Sequence, residues 1–287
     1  MSRITEYAGV SSLAVNDVFI IDGPNGTKTI TANNASEALV ERFCAKNPYN
    51  RRNVYRPLNL GTSFTAEQQA ALSGSNPTFA GLYIGSYWTI NGHKYTIADF
   101  DYWFNKYDKI ASETETSTQA ENKHHVVLIA DFGTTQKMND TNTTEGAYLG
   151  SKMYTENLSE HRTAVAADWG DHVMTHRESF SNAVTDGVPS AHEWVDSTVD
   201  LMNECMVYGG YRHSPFSANV INHDHYTLDR DQLALFRLKP DYLGRVSFWL
   251  RDVVSASDFA SADTYGYAYS YHASYAARVR SAFAIKA

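Results

Sequence analysis

Residues 265–272 read Tyr-Gly-Tyr-Ala-Tyr-Ser-Tyr-His and place a tyrosine at every second position. Because side chains alternate between the two faces of a β-strand, this spacing predicts a strand with all four tyrosines on one face. Four buried phenol hydroxyls would each need a hydrogen-bond partner, whereas exposed tyrosines offer large, stiff contact area. The stretch therefore favours a contact surface. An ordinary half-buried strand is the alternative, because tyrosine is a good strand former.

The surrounding segment, residues 255–277, is built from a restricted set of amino acids. It contains only Ser, Ala, Asp, Phe, Thr, Tyr, Gly and His, and it lacks Lys, Arg, Glu, Gln, Met, Trp, Leu, Ile and Val. Apolar anchors flank it at residues 248–254 and 278–285. A small, polar, tyrosine-rich alphabet between such anchors is typical of a paratope. The alternative is a structural sheet that makes subunit contacts.

Composition excludes several classes of protein. With 287 residues and 43% hydrophobic content, the chain can bury a large core without disulfides, and one main domain with a smaller N-terminal part is expected. The net charge of −8 argues against a nucleic-acid partner. No apolar run has the length of a signal peptide or a membrane span, so we expect synthesis in a cytoplasm and no membrane insertion. Cys44 and Cys205 are predicted to be free thiols.

The first 77 residues predict a small mixed α/β module. A hairpin is expected over residues 18–31, followed by a helix over residues 37–43 capped by Asn34 or Ser36. Thr65 is predicted to cap a second helix at residues 66–72. Residues 73–77, Ser-Gly-Ser-Asn-Pro, are the best linker in the chain. They divide an N-terminal attachment or oligomerisation module, residues 1–77, from a main domain, residues 78–287.

The main domain is predicted to be α+β, with strands at both ends and helices between them. Asn91 and Gly92 indicate a two-residue hairpin turn, residues 124–129 a buried strand, and residues 112–122 an exposed loop. Strands and turns return over residues 246–285. Three helices are expected, over residues 151–160, 162–176 and 191–206.

Residue patterns for catalysis are weak. His172 and His176 would lie one helical turn apart, which suits a metal ion, but surface or capping roles are the alternative and no glutamate lies between them. His223 and His225 occur in a polar segment, where a structural or adventitious role is favoured over metal binding. No phosphate-binding, dinucleotide-binding or nucleophile-elbow motif is present. The sequence therefore predicts no cofactor, no metal site and no enzyme.

A resemblance to a known family rests on the frame around the tyrosines. Residues 249–256, Trp-Leu-Arg-Asp-Val-Val-Ser-Ala, together with Gly266 and residues 279–284, Val-Arg-Ser-Ala-Phe-Ala, resemble the variable proteins of diversity-generating retroelements. That family includes the phage major tropism determinant and receptor-binding proteins of gut phages. The similarity extends from Gly81 to the C-terminus, through residues 87–92, 97–103, 124–127, 138–150, 183–187 and 201–204.

The resemblance implies a C-type-lectin-like fold for residues 78–287, with a variable segment at about residues 245–281. It also implies diversification at adenines, which excludes Lys, Glu, Gln, Met and Trp, in agreement with the restricted alphabet. Core supports are expected at Trp249, Leu250, Val253, Val254, Val279, Phe283 and Ile285, while Arg251 and Asp252 would tie the loop down. The implied ligand contacts are Arg245, Ser247, Asp258, Ser261, Asp263, Thr264, Tyr265, Tyr267, Tyr269, Tyr271, His272, Ser274 and Tyr275.

The function implied by this resemblance is that of a non-enzymatic, tropism-determining phage protein in the virion tail, made in the cytoplasm of the bacterial host. Its partners would be a host-surface protein or glycan, other virion proteins and further copies of itself, with a trimer expected. One alternative is a structural virion protein without receptor binding. Another is a relative of formylglycine-generating enzymes, which share the lectin-like fold but need reactive cysteines or a metal.

Overall fold

The computed structural model describes residues 18–23, 26–104, 123–214 and 232–287. Two compact units are present, Met1–Asn50 and Arg51–Ala287. Both units contain helices and strands, and most strand pairs are antiparallel, so the chain is mixed α+β.

The first unit contains a hairpin followed by a helix. Strands β1 (Val18–Gly23) and β2 (Gly26–Thr31) pair antiparallel in a register that ends with Gly23 opposite Gly26, which confirms the predicted hairpin. Helix α1 spans Ala32–Lys46 and begins earlier than predicted. Its N-cap is Thr31, whose hydroxyl accepts a hydrogen bond from the Asn34 amide at 3.2 Å. The expected caps, Asn34 and Ser36, lie inside the helix instead.

The largest sheet of the second unit has the strand order β10-β15-β5-β4-β3, and β7 also pairs with β15. All of these pairs are antiparallel. The predicted Asn91-Gly92 turn joins β3 to β4, and both turn residues have positive φ. The strands are β3 (Tyr87–Ile90), β4 (His93–Phe100), β5 (Val126–Ala130), β7 (Val173–Met174), β10 (Val199–Leu201) and β15 (Ser281–Ile285).

A five-stranded sheet carries the tyrosine-rich segment, in the order β13-β12-β11-β14-β6. Its pairs are antiparallel except β11 with β14, which is parallel. The strands are β6 (Thr135–Lys137), β11 (Phe248–Val253), β12 (Asp258–Ala262), β13 (Ala268–His272) and β14 (Ala276–Arg278).

A long hairpin replaces one of the predicted helices, and a second predicted helix ends early. Strands β8 (His176–Thr185) and β9 (Val188–Ser197) pair antiparallel around Asp186 and Gly187, which both have positive φ. The helix predicted over residues 191–206 is therefore wrong, because most of it is strand. The helix predicted over residues 162–176 is wrong in its second half, since the chain leaves helical geometry after Trp169.

Four α-helices occur in the described part of the second unit. The capping box predicted at Thr65 is confirmed, with Thr65 and Gln68 each bonding the other's backbone amide. A π-helical stretch, Met153–Asn157, precedes α3. The helices are α2 (Ala66–Leu72), α3 (Ser159–Trp169), α4 (Glu204–Tyr208) and α5 (Ala234–Leu238).

The five-stranded sheet has apolar side chains on both of its faces. Phe248 and Leu250 join the main hydrophobic core, which includes Trp88, Tyr95 and Phe283 of the large sheet. Trp249, between Phe248 and Leu250 in sequence, joins a second hydrophobic core together with Phe259 and Val279. A strand that is covered on both faces carries apolar side chains at successive positions, which explains the run Phe248-Trp249-Leu250.

The division between units falls after Asn50, and residues 51–77 pack with the second unit. Leu72 is buried in the main core, and Gln68 accepts a hydrogen bond from Trp88 Nε1 at 3.0 Å. Tyr55 forms an isolated parallel β-bridge with Ile84, and Asn59 forms another with Tyr87. The Ser-Gly-Ser-Asn-Pro stretch is thus a surface loop within the second unit rather than its start.

Cys44 and Cys205 are thiols rather than disulfide partners, as predicted, and both are fully buried. Among the described helices, none combines the length and hydropathy that crossing a membrane requires. The loop predicted over residues 112–122 lies outside the described residues.

Candidate ligand-binding surface

Strand β11 forms the rigid frame beneath the candidate surface. Trp249 is fully buried and its Nε1 donates a hydrogen bond to the Gln136 carbonyl at 2.8 Å. Trp249, Leu250, Val253, Val279, Phe283 and Ile285 are all buried, as predicted for core supports, and Val254 is partly buried.

Arg251 and Asp252 anchor β11 to neighbouring elements. The Arg251 guanidinium forms a buried ion pair with Glu178 on β8. Asp252 Oδ2 accepts a hydrogen bond from the Glu204 amide at the start of α4, at 2.6 Å. The sequence prediction identified their tethering role but not the partners, because β8 was not expected.

The tyrosine ladder is only partly a strand. Tyr269 and Tyr271 lie on β13 and share one face, whereas Tyr265 and Tyr267 belong to the turn that joins β12 to β13. Gly266 has a φ of +86° in this turn, which breaks the alternation. Asp263 Oδ1 accepts hydrogen bonds from the amides of Tyr265 and Tyr267, both at 2.8 Å, so the turn has a fixed shape.

Three tyrosines pack together on this face and form a tyrosine cluster, Tyr269, Tyr271 and Tyr275. The rings of Tyr271 and Tyr275 stack at 4.4 Å, and those of Tyr269 and Tyr271 lie 5.1 Å apart. Tyr271 meets the buried Trp249 ring edge to face at 6.0 Å. Its hydroxyl lies 3.3 Å from that of Ser247. The cluster is therefore continuous with the second hydrophobic core.

Exposure is concentrated on this surface. Tyr265 is 81% exposed, Tyr267 70%, Tyr269 50% and Tyr275 49%, whereas Tyr271 is half-buried. The other exposed large apolar or aromatic side chains in the described part of the second unit are less accessible to solvent. The exposed fraction is 36–37% for Leu58, Tyr211 and Val246.

Polar groups border the tyrosines. Asp258 and His272 are cross-strand neighbours, and the Asp258 carboxylate lies 2.6 Å from His272 Nδ1. Ser274 binds the Asn142 side chain through both its amide and its hydroxyl. Arg245 is exposed with a φ of +81°, and its amide donates to the Thr264 carbonyl at 2.7 Å. These contacts fix the border of the surface at three places along the chain, near Arg245, His272 and Ser274.

The buried position of Ser261 excludes it from the contact surface. Ser261 lies on β12 opposite both Trp249 and Tyr269 and has no solvent exposure. Its hydroxyl has no hydrogen-bond partner in the described part of the chain. The expectation that Ser261 contacts a ligand is corrected accordingly. Asp263 also acts chiefly by shaping the turn.

Three residues near the surface were missed by sequence reasoning. Val246 is exposed beside Arg245, Asn142 holds Ser274, and His213 Nε2 lies 3.0 Å from the Ala268 carbonyl of β13. Of these three, Val246 could have been found from its place within the variable segment, between Arg245 and Ser247. Behind the turn, burial raises the pKa of the Tyr208 hydroxyl well above its usual value, and the negative charges of Asp263 and Glu204 add to the effect.

The two histidines considered for a metal do not converge. His172 lies in a short 3-10 turn, Gly170–His172, whereas His176 begins β8 and stacks on Trp103 at 3.9 Å. His176 Nε2 lies 3.4 Å from Glu178 Oε2 instead. In the ranges that the structure describes, no three His, Cys, Asp or Glu side chains are grouped to hold a metal ion. His223 and His225 lie outside those ranges.

Comparisons of the chain with protein-family models, with curated proteins and with solved structures found no match.

Proposed function

We propose that this chain is a phage receptor-binding protein of the diversity-generating retroelement type, with residues 245–281 as its variable segment on a C-type-lectin-like scaffold. The observation that carries the proposal is the exposure of Tyr265, Tyr267, Tyr269 and Tyr275 on one sheet edge. Burying aromatic side chains in contact with a partner gives large favourable free energy at low cost in conformational entropy.

The frame around the segment supports the proposal. Residues 255–277 use a restricted alphabet, while their flanks on β11 and β15 are buried. A surface whose side chains change requires a backbone that does not depend on them. The Trp249 anchor and the bond from the Ser274 amide to the Asn142 side chain support the backbone in this way, since Trp249 and Asn142 lie outside residues 255–277.

The remaining parts of the proposal concern assembly. The N-terminal unit, Met1–Asn50, attaches the protein to the virion tail or to further copies, with a trimer as the expected state, and the ligand is a host-surface protein or glycan. Several copies on one virion would raise avidity without new contacts.

Alanine substitution of the most exposed tyrosines tests this function. Tyr265→Ala, Tyr267→Ala and Tyr269→Ala combined should abolish binding to intact cells of candidate gut bacterial hosts and leave the melting temperature within a few degrees, since little buried area is lost. Leu58→Ala, on an exposed loop beside β3, is the matched control and should preserve binding.

Loss of folding without a binding phenotype would contradict the proposal and favour a structural virion protein whose tyrosines contact other subunits. The formylglycine-type alternative gains no support from the thiols, because Cys44 and Cys205 are fully buried. Sequencing the surrounding DNA tests the diversification itself. A near-copy of the variable segment that differs only opposite adenines is expected close by.

A further inference from the structure

Strand β13 lies at the edge of the five-stranded sheet, and its hydrogen-bonding groups alternate in direction. In the ladder with β12, the Asp263 amide donates to the Tyr267 carbonyl at 2.9 Å and the Ala273 amide donates to the Ser257 carbonyl at 2.8 Å. In an antiparallel ladder every second residue bonds its partner strand. The odd-numbered residues of β13 therefore face β12, and the amide and carbonyl of Ser270 point away from the sheet.

The direction of a neighbouring group agrees with this geometry. The carbonyl of Ala268, two residues from Ser270, lies 3.0 Å from His213 Nε2, on the side away from β12. The β12–β13 register runs from Asp258↔His272 to Ala262↔Ala268 without a bulge. Within the residues that the structure describes, no strand extends the sheet beyond β13.

Other edges of the two large sheets are protected. The outer edge of β3 is covered by residues 58–61, through hydrogen bonds between Leu58 and Tyr87, Leu60 and Tyr87, and Gly61 and Thr89. Strands β6 and β10 are only three residues long, and β6 carries Lys137. Short length, lysine, proline and bulges are the usual devices that prevent edge pairing. Strand β13 has five residues and no lysine, proline or bulge, although His213 meets its outer edge at the Ala268 carbonyl.

We propose that β13 binds an extended segment of a polypeptide ligand, which adds to the sheet as a further strand alongside Ser270. This inference rests on the proposed function and narrows its ligand from a protein or glycan to an extended polypeptide. Strand addition obtains affinity from main-chain hydrogen bonds, and alternate side chains provide specificity. Tyr269 and Tyr271 flank Ser270 and would contact every second side chain of the added strand.

Strand addition also suits a surface that is diversified. Main-chain hydrogen bonds of β13 do not depend on which side chains occupy residues 268–272. Each variant therefore keeps a common contribution to affinity, while the changing side chains select among ligand sequences. The tyrosines decide which segment binds, and Ser270 provides the hydrogen bonds that any bound segment uses.

Displayed random linear peptides provide the probe, because the natural ligand is unidentified. Peptides enriched on the full chain are synthesised, and amide hydrogen exchange is measured with and without saturating peptide. Exchange at Ser270 should slow by at least about tenfold, because its amide gains a partner only in the complex. The amides of Tyr269 and Tyr271 already bond β12 and should change less.

A pair of substitutions at Ser270 separates backbone from side chain. Ser270→Pro removes an amide that the β12 ladder does not use, a position where an edge strand tolerates proline. It should weaken peptide binding by roughly tenfold, the loss expected for about one hydrogen bond and its neighbour. Ser270→Ala keeps both backbone groups and should bind within about twofold of the original chain. If Ser270→Pro fails to fold, hydrogen exchange at the Ser270 amide of the unsubstituted protein, with and without peptide, decides whether a strand is added to β13.

Three results would overturn the inference. Peptide binding could leave exchange at Ser270 unchanged. Bacterial cells or arrayed glycans could be bound through the tyrosines while no peptide is enriched. The unsubstituted chain could form a dimer that Ser270→Pro abolishes, which would assign the edge to a second copy. The proposed receptor function fails separately, when removing the three tyrosines leaves cell binding unchanged.

Discussion

At the scale of single residues, Gly266 determines the shape of the tyrosine turn. Its φ of +86° is unfavourable for any residue with a Cβ, and a Cβ added there would lie 3.1 Å from Leu243 Cβ. Gly266→Ala should therefore lower the free energy of unfolding by about 1–2 kcal/mol or more. Gly74→Ala is the matched control, because Gly74 has a φ of +84° in open space. Equal losses measured by urea denaturation would show that the Leu243 contact is unimportant.

His161 makes the protein sensitive to acid. Burial lowers the pKa of His161 to about 4 from an ordinary value of 6.5, and its ring stacks on Phe132 at 4.5 Å. The unfolded chain binds the proton first, so stability attributable to His161 is intact above about pH 6.5 and decreases as the pH falls towards 4. The loss approaches ~1.4 kcal/mol per pH unit in this range.

His161→Asn should flatten that part of the profile, although it lowers stability at neutral pH by removing the packed ring and the bond between Nδ1 and the Ser281 hydroxyl. Denaturation at several pH values measures both effects. An unchanged slope between pH 6.5 and 4 would assign the acid sensitivity to other groups.

Single residues also show where sequence reasoning succeeded and where it did not. Thr65 was identified as a helix cap because a cap acts through residues three positions away. Ser261 was misplaced because its burial depends on Trp249 and Tyr269, twelve and eight positions distant, which face it across two strand pairings. Polar type alone could not reveal that position.

At the scale of elements, turn chemistry was more informative than hydrophobic periodicity. The Asn91-Gly92 turn correctly predicted β3 and β4, and Asp186-Gly187 is an equally strong hairpin signal that was not weighed. Residues 191–206 were instead assigned to a helix, because Trp194, Val195 and Val199 fit a helical stripe. Trp194 and Val195 instead lie on β9, paired with β8 across that turn, while Val199 pairs with Phe283, a partner distant in sequence that local patterns do not register.

The ion pair between Arg251 and Glu178 joins β11 to the β8–β9 hairpin. Both side chains are buried, and Arg251 also lies over the Phe180 ring at 4.7 Å. Arg251→Leu should destabilise the protein by about 3–5 kcal/mol, because it leaves the Glu178 carboxylate buried without its cation. Adding Glu178→Leu should restore part of that loss.

The exposed pair Arg177–Asp196 on the same hairpin is the control. Its atoms are 3.2 Å apart but its side chains are accessible to water, so Arg177→Ala should cost at most ~1 kcal/mol. Comparable losses in the two single variants, measured by denaturation, would contradict a special role for the buried pair.

At the scale of the whole molecule, the position of the unit boundary can be tested by truncation. A chain beginning at Arg51 should unfold cooperatively with a melting temperature close to that of the second unit in the full chain. A chain beginning at residue 78 should be much less stable, because it lacks Leu72, the Gln68–Trp88 bond and the cover over β3. Similar melting temperatures for the two chains would support a boundary at residues 73–77, as predicted from the Ser-Gly-Ser-Asn-Pro stretch, over one after Asn50.

Strand β15 follows the variable segment in sequence yet lies inside the largest sheet, between β10 and β5. A ribosome must therefore translate the whole of residues 245–281 before that sheet can close. Under the diversification that we propose, a stop codon introduced in this segment would leave β5 paired with β4 alone, and the truncated product would be a substrate for proteases. The requirement for β15 would then act as a quality filter, because only copies translated through the binding surface could complete the largest sheet.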